Sequence, residues 1–323
     1  MNEEMVQQNY TPYEKSESFT KTAWTMVAVG CVPFVTSCII LLLVSSIKHK
    51  RKELIFFTAL CVSTLILGAG YTAAGYRRLY VLSYAEYFIS PFDCLVKAVH
   101  NIMFEIGETT SALVMLLLTG DQLASMISFK WYLKFTSRKA ELLLVVIYTL
   151  SCVVYAIIML VSLLITDQNT RISPFCYQDE AMPGNFYQVH CDFLLVAYYT
   201  SLTVCLVALL CRKFMKKKNT AAGRLGQMIK QKKVVHRVSV IIFFRSIFQM
   251  IPMTLLSFTE NESLIDNMWL AHPLGLTLEL ILYSAFDQEI RHCIKLLCTG
   301  QACINLPLSP CCRSTTNTET IDK

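Results

Sequence analysis

Polar and apolar positions along this chain alternate on a long wavelength, with extended apolar stretches separated by short polar or basic segments. Seven stretches have the length a helix needs to cross a hydrocarbon core of ~30 Å. They are Trp24–Ile47, Leu54–Tyr76, Lys97–Thr119, Glu141–Ile165, Asp192–Arg212, Val235–Leu256 and Met268–Phe286. The third is the least apolar, and the others are organised around it. From Cys94, past His100, Glu105 and Glu108, through the run Ala112 to Leu118, to Asp121 and Gln122, it extends roughly 40 Å as a helix at ~1.5 Å per residue. Lipid does not tolerate two carboxylates, so this helix requires other helices around it.

The connecting segments set the expected orientation through their basic residues. Lys48, Lys50, Arg51 and Lys52 follow the first span, Lys130, Lys134, Arg138 and Lys139 follow the third, and a dense run from Arg212 to Arg237 follows the fifth. The opposite segments carry Lys15, Lys21, Arg77, Arg78 and Arg171. The basic side marks the cytoplasm, which places the N-terminus outside and the C-terminus inside. Two glycosylation sequons, at Asn9 and Asn261, fall on the expected outer face. Thr166–His190 is the longest outer loop and Lys213–Lys233 the longest inner one. After the seventh span the chain runs on from Asp287 to Cys298 without a breaker. Phe286, Ile290, Cys293, Ile294 and Leu297 share one face of that run, while Asp287, Glu289, Arg291 and Lys295 point elsewhere. This pattern predicts a short amphipathic helix on the inner membrane surface, with Cys298 a candidate palmitoylation site. The expected fold is therefore an all-α membrane protein, a seven-transmembrane helix bundle with its N-terminus outside. It divides into an outer tail (1–23), the bundle (24–286), a membrane-parallel eighth helix (287–298) and an inner tail (299–323).

Composition agrees with this pattern and narrows the function classes. Of 323 residues 54% are hydrophobic and 16% charged, against about 25% charged in soluble domains. The net charge of +6 lies in the loops, so it describes topology and not a nucleic-acid surface. Met1 to Lys21 is polar and leads straight into a full span, so no removable signal peptide is expected. The fourteen cysteines contain no CxxC and no zinc-like Cys/His spacing. Cys94, Cys176 and Cys191 lie at expected helix ends or loops on the outer side. The six histidines contain no H-x-x-x-H, and Met268–Phe286 holds no lysine for a retinal Schiff base. No metal, no cofactor and no enzymatic activity is expected. No internal repeat of the transporter kind is present.

Several polar residues within spans are functional candidates by default. Glu105 and Glu108 sit one turn apart on one face of span three. Arg245 lies nearly mid-span in span six and either needs an anionic partner, with Glu108 and Glu279 both at compatible depth, or snorkels toward the inner surface. His100, Gln249 and Met250 join the two glutamates as ligand-binding or activation candidates. Asp121 reads as a gate at the inner end or as a solvated helix-end carboxylate.

At these residues the chain resembles the rhodopsin-like seven-helix G-protein-coupled receptors, and among them the divergent nematode serpentine chemoreceptors. Tyr283-x-x-Phe286 followed by the helix with Arg291 resembles the receptors' span-seven tyrosine and eighth helix. Asp121 stands where such receptors keep the acidic residue of their Asp-Arg-Tyr motif, Trp131 to Phe135 resembles their second inner loop, and Pro252 fits their sixth-span proline. Gln122 replaces the motif's arginine, Glu279-Leu280 replaces Asn-Pro in span seven, Met250 stands at the usual tryptophan, and Ser63 lies near the expected span-two aspartate. The resemblance implies a disulfide from Cys94 to Cys176 or Cys191. It implies G-protein-side roles for Asp121, Gln122, Tyr283 and Arg237. It also implies a chemosensory receptor in the plasma membrane, activated by a small-molecule or peptide ligand and partnered by a heterotrimeric G protein and membrane lipid. The alternative is a seven-span ion channel or transporter. Orientation is checked by glycosidase treatment of the expressed protein: a mobility shift that Asn9→Gln abolishes is expected, and an unshifted band from microsomes competent for glycosylation counts against an outer N-terminus.

Overall fold

A computed structural model describes residues 17–47, 51–84, 88–127, 132, 134–165, 170–218, 235–256 and 262–298. Among these the chain is helical, with no strand beyond the single antiparallel bridge Ile89–Ile172. Asn9, Asn261 and the tail 299–323 lie outside the described residues. The long helices are α1 (Glu17–Ser45), α2 (Lys52–Tyr84), α4 (Val99–Ile127), α5 (Ser137–Ile165), α7 (Phe186–Lys218), α8 (235–256) and α9 (Glu262–Phe286). Three short helices accompany them: α3 (Pro91–Lys97), α6 (Gln178–Ala181) and α10 (Gln288–Cys298).

Among the described residues, six helices are long and apolar enough to cross a membrane: α1, α2, α4, α5, α7 and α8. The seventh expected span falls inside α9, which is not among those six. Its buried side carries His272, Thr277, Glu279 and Ser284. The expected spans start late relative to the helices: α1 begins at Glu17 and not at Trp24, and α7 at Phe186 and not at Asp192. The stretch leading into span three is not one rod either. Ser90 caps α3 by accepting from the Asp93 amide, and the helix breaks at Ala98, whose backbone (φ −93°, ψ 84°) is non-helical, before α4 starts.

The bundle closes by packing α1 on α2, α2 on α4 and α5, α4 on α7, α8 on α7 and α9, and α9 back on α1. α2 and α4 are its interior: 72% and 67% of their most apolar windows are buried, against 28% for α5. The outer faces of α5 and α7 present Leu142, Val146, Leu150, Ile157, Val196 and Leu210. An apolar face of that kind suits hydrocarbon and not water. The α1–α2 contact is close because small residues allow it. A Cβ on Gly68 would lie 2.7 Å from the Phe34 amide nitrogen, so the two backbones touch as they do at small-residue crossings in membranes.

The two ends of the bundle differ. At one, Cys94 of α3 pairs with Cys176, with Cα atoms 5.5 Å apart, and Cys191 is free. The other holds Arg51, Lys52 and Arg237. Cys176 has φ +60°, a left-handed conformation that disfavours a residue with a Cβ. The disulfide and a hydrogen bond from His100 Nε2 to the Cys176 carbonyl (3.1 Å) hold it there. Replacing Cys176 with Ala is expected to cost roughly 2–4 kcal/mol, read as a lower thermal midpoint of the purified protein in detergent. The double variant with Cys94→Ala is expected to add almost nothing, and additive losses would mean the two thiols act separately.

Candidate functional site

The interior side chains of the bundle form three polar clusters, each built across helices. The first lies near the disulfide end. Glu105 and Glu108, one turn apart on α4, both face His190 of α7. Glu108 Oε2 is 3.1 Å from His190 Nε2 and Glu105 Oε2 is 3.0 Å from Nδ1. Thr109 donates to the other Glu105 oxygen at 3.2 Å. All three ionisable groups are buried. The Nε2 contact is a hydrogen bond, whereas Glu105 Oε2 meets the ring by proximity alone; two carboxylates facing one imidazole leave the trio short of positive charge when both are ionised.

Beside it, Glu108, Phe248, Gln249, Pro252, Met253, Trp269 and His272 line a cavity between α4, α8 and α9. It offers about 20 Å³ to the centre of a water-sized molecule, room for about one water. His272 is held from below by Tyr71 of α2, whose hydroxyl is 2.8 Å from Nδ1.

The second cluster lies deeper in α8. Arg245 Nη2 is 2.9 Å from Glu279 of α9, Nη1 donates to Gln249 Oε1 at 2.8 Å, and the guanidinium lies 5.8 Å from the Tyr198 ring centroid. Arg245 is 3% exposed and Glu279 1%. This excludes snorkelling to the surface and assigns the arginine to Glu279; Glu108 belongs to His190. Directly after Arg245 the helix widens into a π turn, Ser246–Met250, closed by the Ile251 amide donating to the Ser246 carbonyl. Pro252 follows and has no amide hydrogen to restore the regular ladder. The wider turn directs Gln249 inward to both Arg245 and the cavity. α9 comes close here: a Cβ on Gly275 would overlap the Phe248 side chain.

The third cluster occupies the basic end. Asp287 is fully buried, which corrects its expected place on the polar face of the terminal helix. One of its oxygens caps α10, accepting from the Glu289 amide at 2.9 Å and the Ile290 amide at 3.2 Å. The other meets Arg51 Nη2 at 2.8 Å and Arg237 of α8. Arg237 also lies over Tyr283, which stacks on Phe57 with centroids 3.8 Å apart. Alongside, Lys52 of α2 bonds Asp121 of α4 at 3.1 Å and the Tyr132 carbonyl at 3.0 Å. Asp121 is therefore a paired inter-helix carboxylate and not a solvated end group. Gln122, beside it, is buried. Ile290 and Cys293 of α10 are buried against the bundle, whereas Phe286, the last residue of α9, and Ile294 are exposed, as an apolar face turned toward lipid is.

A cap closes the disulfide end. Arg77 donates to the Pro174 carbonyl at 3.1 Å, the Ser173 amide to Glu180 at 3.0 Å, and Tyr155 to the Leu95 carbonyl at 2.9 Å. Burial raises the Glu180 carboxyl above its ordinary range against the opposing Ser173 amide. The Ser90 hydroxyl, with Lys97, holds Asp93 below its ordinary range.

Among the sequence-predicted residues, Glu105 and Glu108 come together, as do Arg245, Glu279 and Gln249, and Arg237 and Tyr283 meet at the basic end. His100 joins the cap instead of the carboxylates. Met250 is buried against Tyr198, Leu194 and Ala112. His190, His272, Lys52 and Asp287 complete the clusters; from sequence, Lys52 counts only toward loop charge, Asp287 toward the polar face of the terminal helix, and His190 and His272 as outer histidines without metal-ligand spacing. No group of three or more His, Cys, Asp or Glu side chains among the described residues is placed to hold a metal ion. No family model matches the chain, and no curated protein matches it.

The Arg245–Glu279 assignment makes a direct prediction. Removing one partner with Arg245→Met leaves a buried carboxylate alone and is expected to cost about 3–5 kcal/mol, read as lost folded yield and a lower thermal midpoint. Arg245→Glu combined with Glu279→Arg is expected to recover most of that loss, while Arg245→Glu combined with Glu108→Arg recovers none.

Proposed function

We propose that this chain is a ligand-activated receptor of the serpentine type, with α9 as its seventh membrane span, the disulfide end outside and the basic end in the cytoplasm. Its partner on the basic side would be a heterotrimeric G protein, and its setting the plasma membrane. The observation that carries the reading is the construction of α8. One helix is fastened to α9 by Arg245–Glu279 beside a small cavity and, eight residues earlier, by Arg237 to the α9–α10 junction. The two fastenings are roughly 12 Å apart along the helix axis. A molecule that enters the cavity and disturbs Gln249 acts on the first fastening, and the regular helix carries the displacement to the second. Release of Arg237 from Asp287 then opens the basic end. A two-state element biased by a ligand at one end and read at the other is what transmembrane signalling requires.

Orientation has two supports. Arg51, Lys52 and Arg237 lie at one end, beside the segments whose basic residues mark the expected cytoplasmic side, and a disulfide belongs at the end facing an oxidising compartment. Gln122 stands in place of the arginine on which the resembled receptors build their inner lock. In this chain the Arg237–Asp287–Arg51 cluster supplies an equivalent restraint from different residues. A chemosensory role follows from the resemblance alone. Cys298, last residue of α10, remains the proposed lipid-attachment site beside the inner surface.

The test is expression in cells containing a promiscuous G protein and a second-messenger reporter, with a ligand panel applied to wild type, Glu108→Gln and Asp287→Asn. Wild type is expected to signal only with ligand. Glu108→Gln should shift the dose response by tenfold or more, and Asp287→Asn should raise the ligand-free signal. Ligand-evoked current or solute uptake that persists without any G protein would establish the channel or transporter alternative in its place.

A further inference from the structure

We propose that the Glu105–Glu108 pair is the subsite for the ammonium group of a small ligand, and that His190 is a tethered cation holding that subsite until the ligand displaces it. The ligand is an amine that also carries a hydrogen-bond acceptor, seated in the cavity bounded by Phe248 and Trp269. This deepens the receptor reading and rests on it for what binding achieves, though not for binding itself.

Charge is the first argument. Two buried carboxylates face one imidazole, so a ligand ammonium taking its place supplies the positive charge that the pair needs, as a protonated His190 does. A neutral or anionic ligand at the same place would leave both carboxylates without a counter-charge, which a buried site does not tolerate. Position is the second. Glu108 touches His190 and also lines the cavity. The displaced site and the vacant one are therefore continuous. The cavity as it stands admits about one water, so a ligand gains room only by moving something aside. His190 is the group placed to move, four residues into α7 and next to the turn where Tyr187 packs under the cap.

The third argument is independent of the carboxylates. Gln249 Nε2 and His272 Nε2 are buried and have no hydrogen-bond partner, although both residues line this cavity. Buried polar atoms in folded proteins are nearly always paired. The Gln249 oxygen accepts from Arg245, so its amide nitrogen, which lies beside the Tyr198 hydroxyl, is the atom left to donate. A donor waiting in the cavity calls for an acceptor on the ligand. An acceptor bonded there also pulls on the residue that holds Arg245. The same molecule thus neutralises Glu105 and Glu108 at one end and reaches Gln249 at the other.

The experiment measures thermal stabilisation of the purified full-length protein in detergent by matched probes: 2-amino-1-phenylethanol, 2-phenylethylamine, and uncharged 1-phenylethanol. Both amines are expected to stabilise wild type and 1-phenylethanol is not. His190→Gln removes the competing cation and should tighten amine binding roughly tenfold. Gln249→Leu should weaken the hydroxylated amine several-fold and leave 2-phenylethylamine unchanged. The inference is overturned if no amine stabilises the protein, if 1-phenylethanol stabilises it equally, or if His190→Gln weakens amine binding. Signalling by uncharged panel compounds with no amine binding sinks this inference and leaves the receptor standing. Amine binding with no signal does the reverse.

Discussion

A charge buried away from water must meet an opposite charge, and this constraint fixes how the helices of this bundle stand against one another. Five interior carboxylates among the described residues are answered from other elements: Glu105 and Glu108 of α4 by His190 of α7, Asp121 of α4 by Lys52 of α2, Glu279 of α9 by Arg245 of α8, and Asp287 by Arg237 of α8 and Arg51. Apolar packing cannot do this alone. Between helices surrounded by hydrocarbon, a leucine contacting leucine gains little over a leucine contacting lipid. A slipped register that keeps apolar surface covered would therefore cost little, unless it also stranded a carboxylate, and here every slip of α4 or α8 would strand one. The pairs are weak grounds for high stability, since an apolar pair of equal volume often serves as well. They are strong grounds for a single arrangement.

The same constraint explains what could be read from the sequence. Span lengths and loop charges locate six membrane-length helices because hydrocarbon imposes a length, and the third span announces its own central place through two carboxylates. Arg245 could be identified as needing an anion, and Glu279 was one of two depth-compatible choices. Choosing between them required knowing that Glu108 was already engaged. That fact was hidden because His190 precedes the apolar run of its helix, so a reading based on hydropathy assigned it to a loop. Helices continue past their apolar windows wherever polar residues are sheltered by neighbours, and the shelter is a tertiary fact. Asp287 was misplaced for a different reason. An amphipathic pattern treats every charge as solvent-facing, and it took no account of an aspartate immediately before a helix as an N-cap.

The π turn at Ser246–Met250 links the charge pattern to mechanical behaviour. Between Arg237 and Arg245, α8 is a regular helix and transmits displacement along its axis. Beyond Arg245 the wider turn and Pro252 remove the regular hydrogen-bond ladder, so the segment lining the cavity can adjust without unwinding what lies below it. The compliant part and the stiff part meet at the arginine that is paired across to α9.

Such a junction converts a change in local hydrogen bonding into a change of helix position. Gln249 is both cavity wall and partner of Arg245, so on the proposed receptor reading a molecule that recruits its amide would alter the restraint on the guanidinium, whose other neighbours are Glu279 and Tyr198. The carboxylate cannot be left alone at that depth, so Arg245 must keep its ion pair and accommodate the new geometry by turning the helix that carries it. Because the lower segment is stiff, that rotation reaches Arg237, whose contacts with Asp287 and Tyr283 depend on the angle at which α8 meets the α9–α10 corner. The restraint that would be expensive to break is thus conserved, and the one nearer water, where Arg51 can still cover Asp287, is the one free to yield.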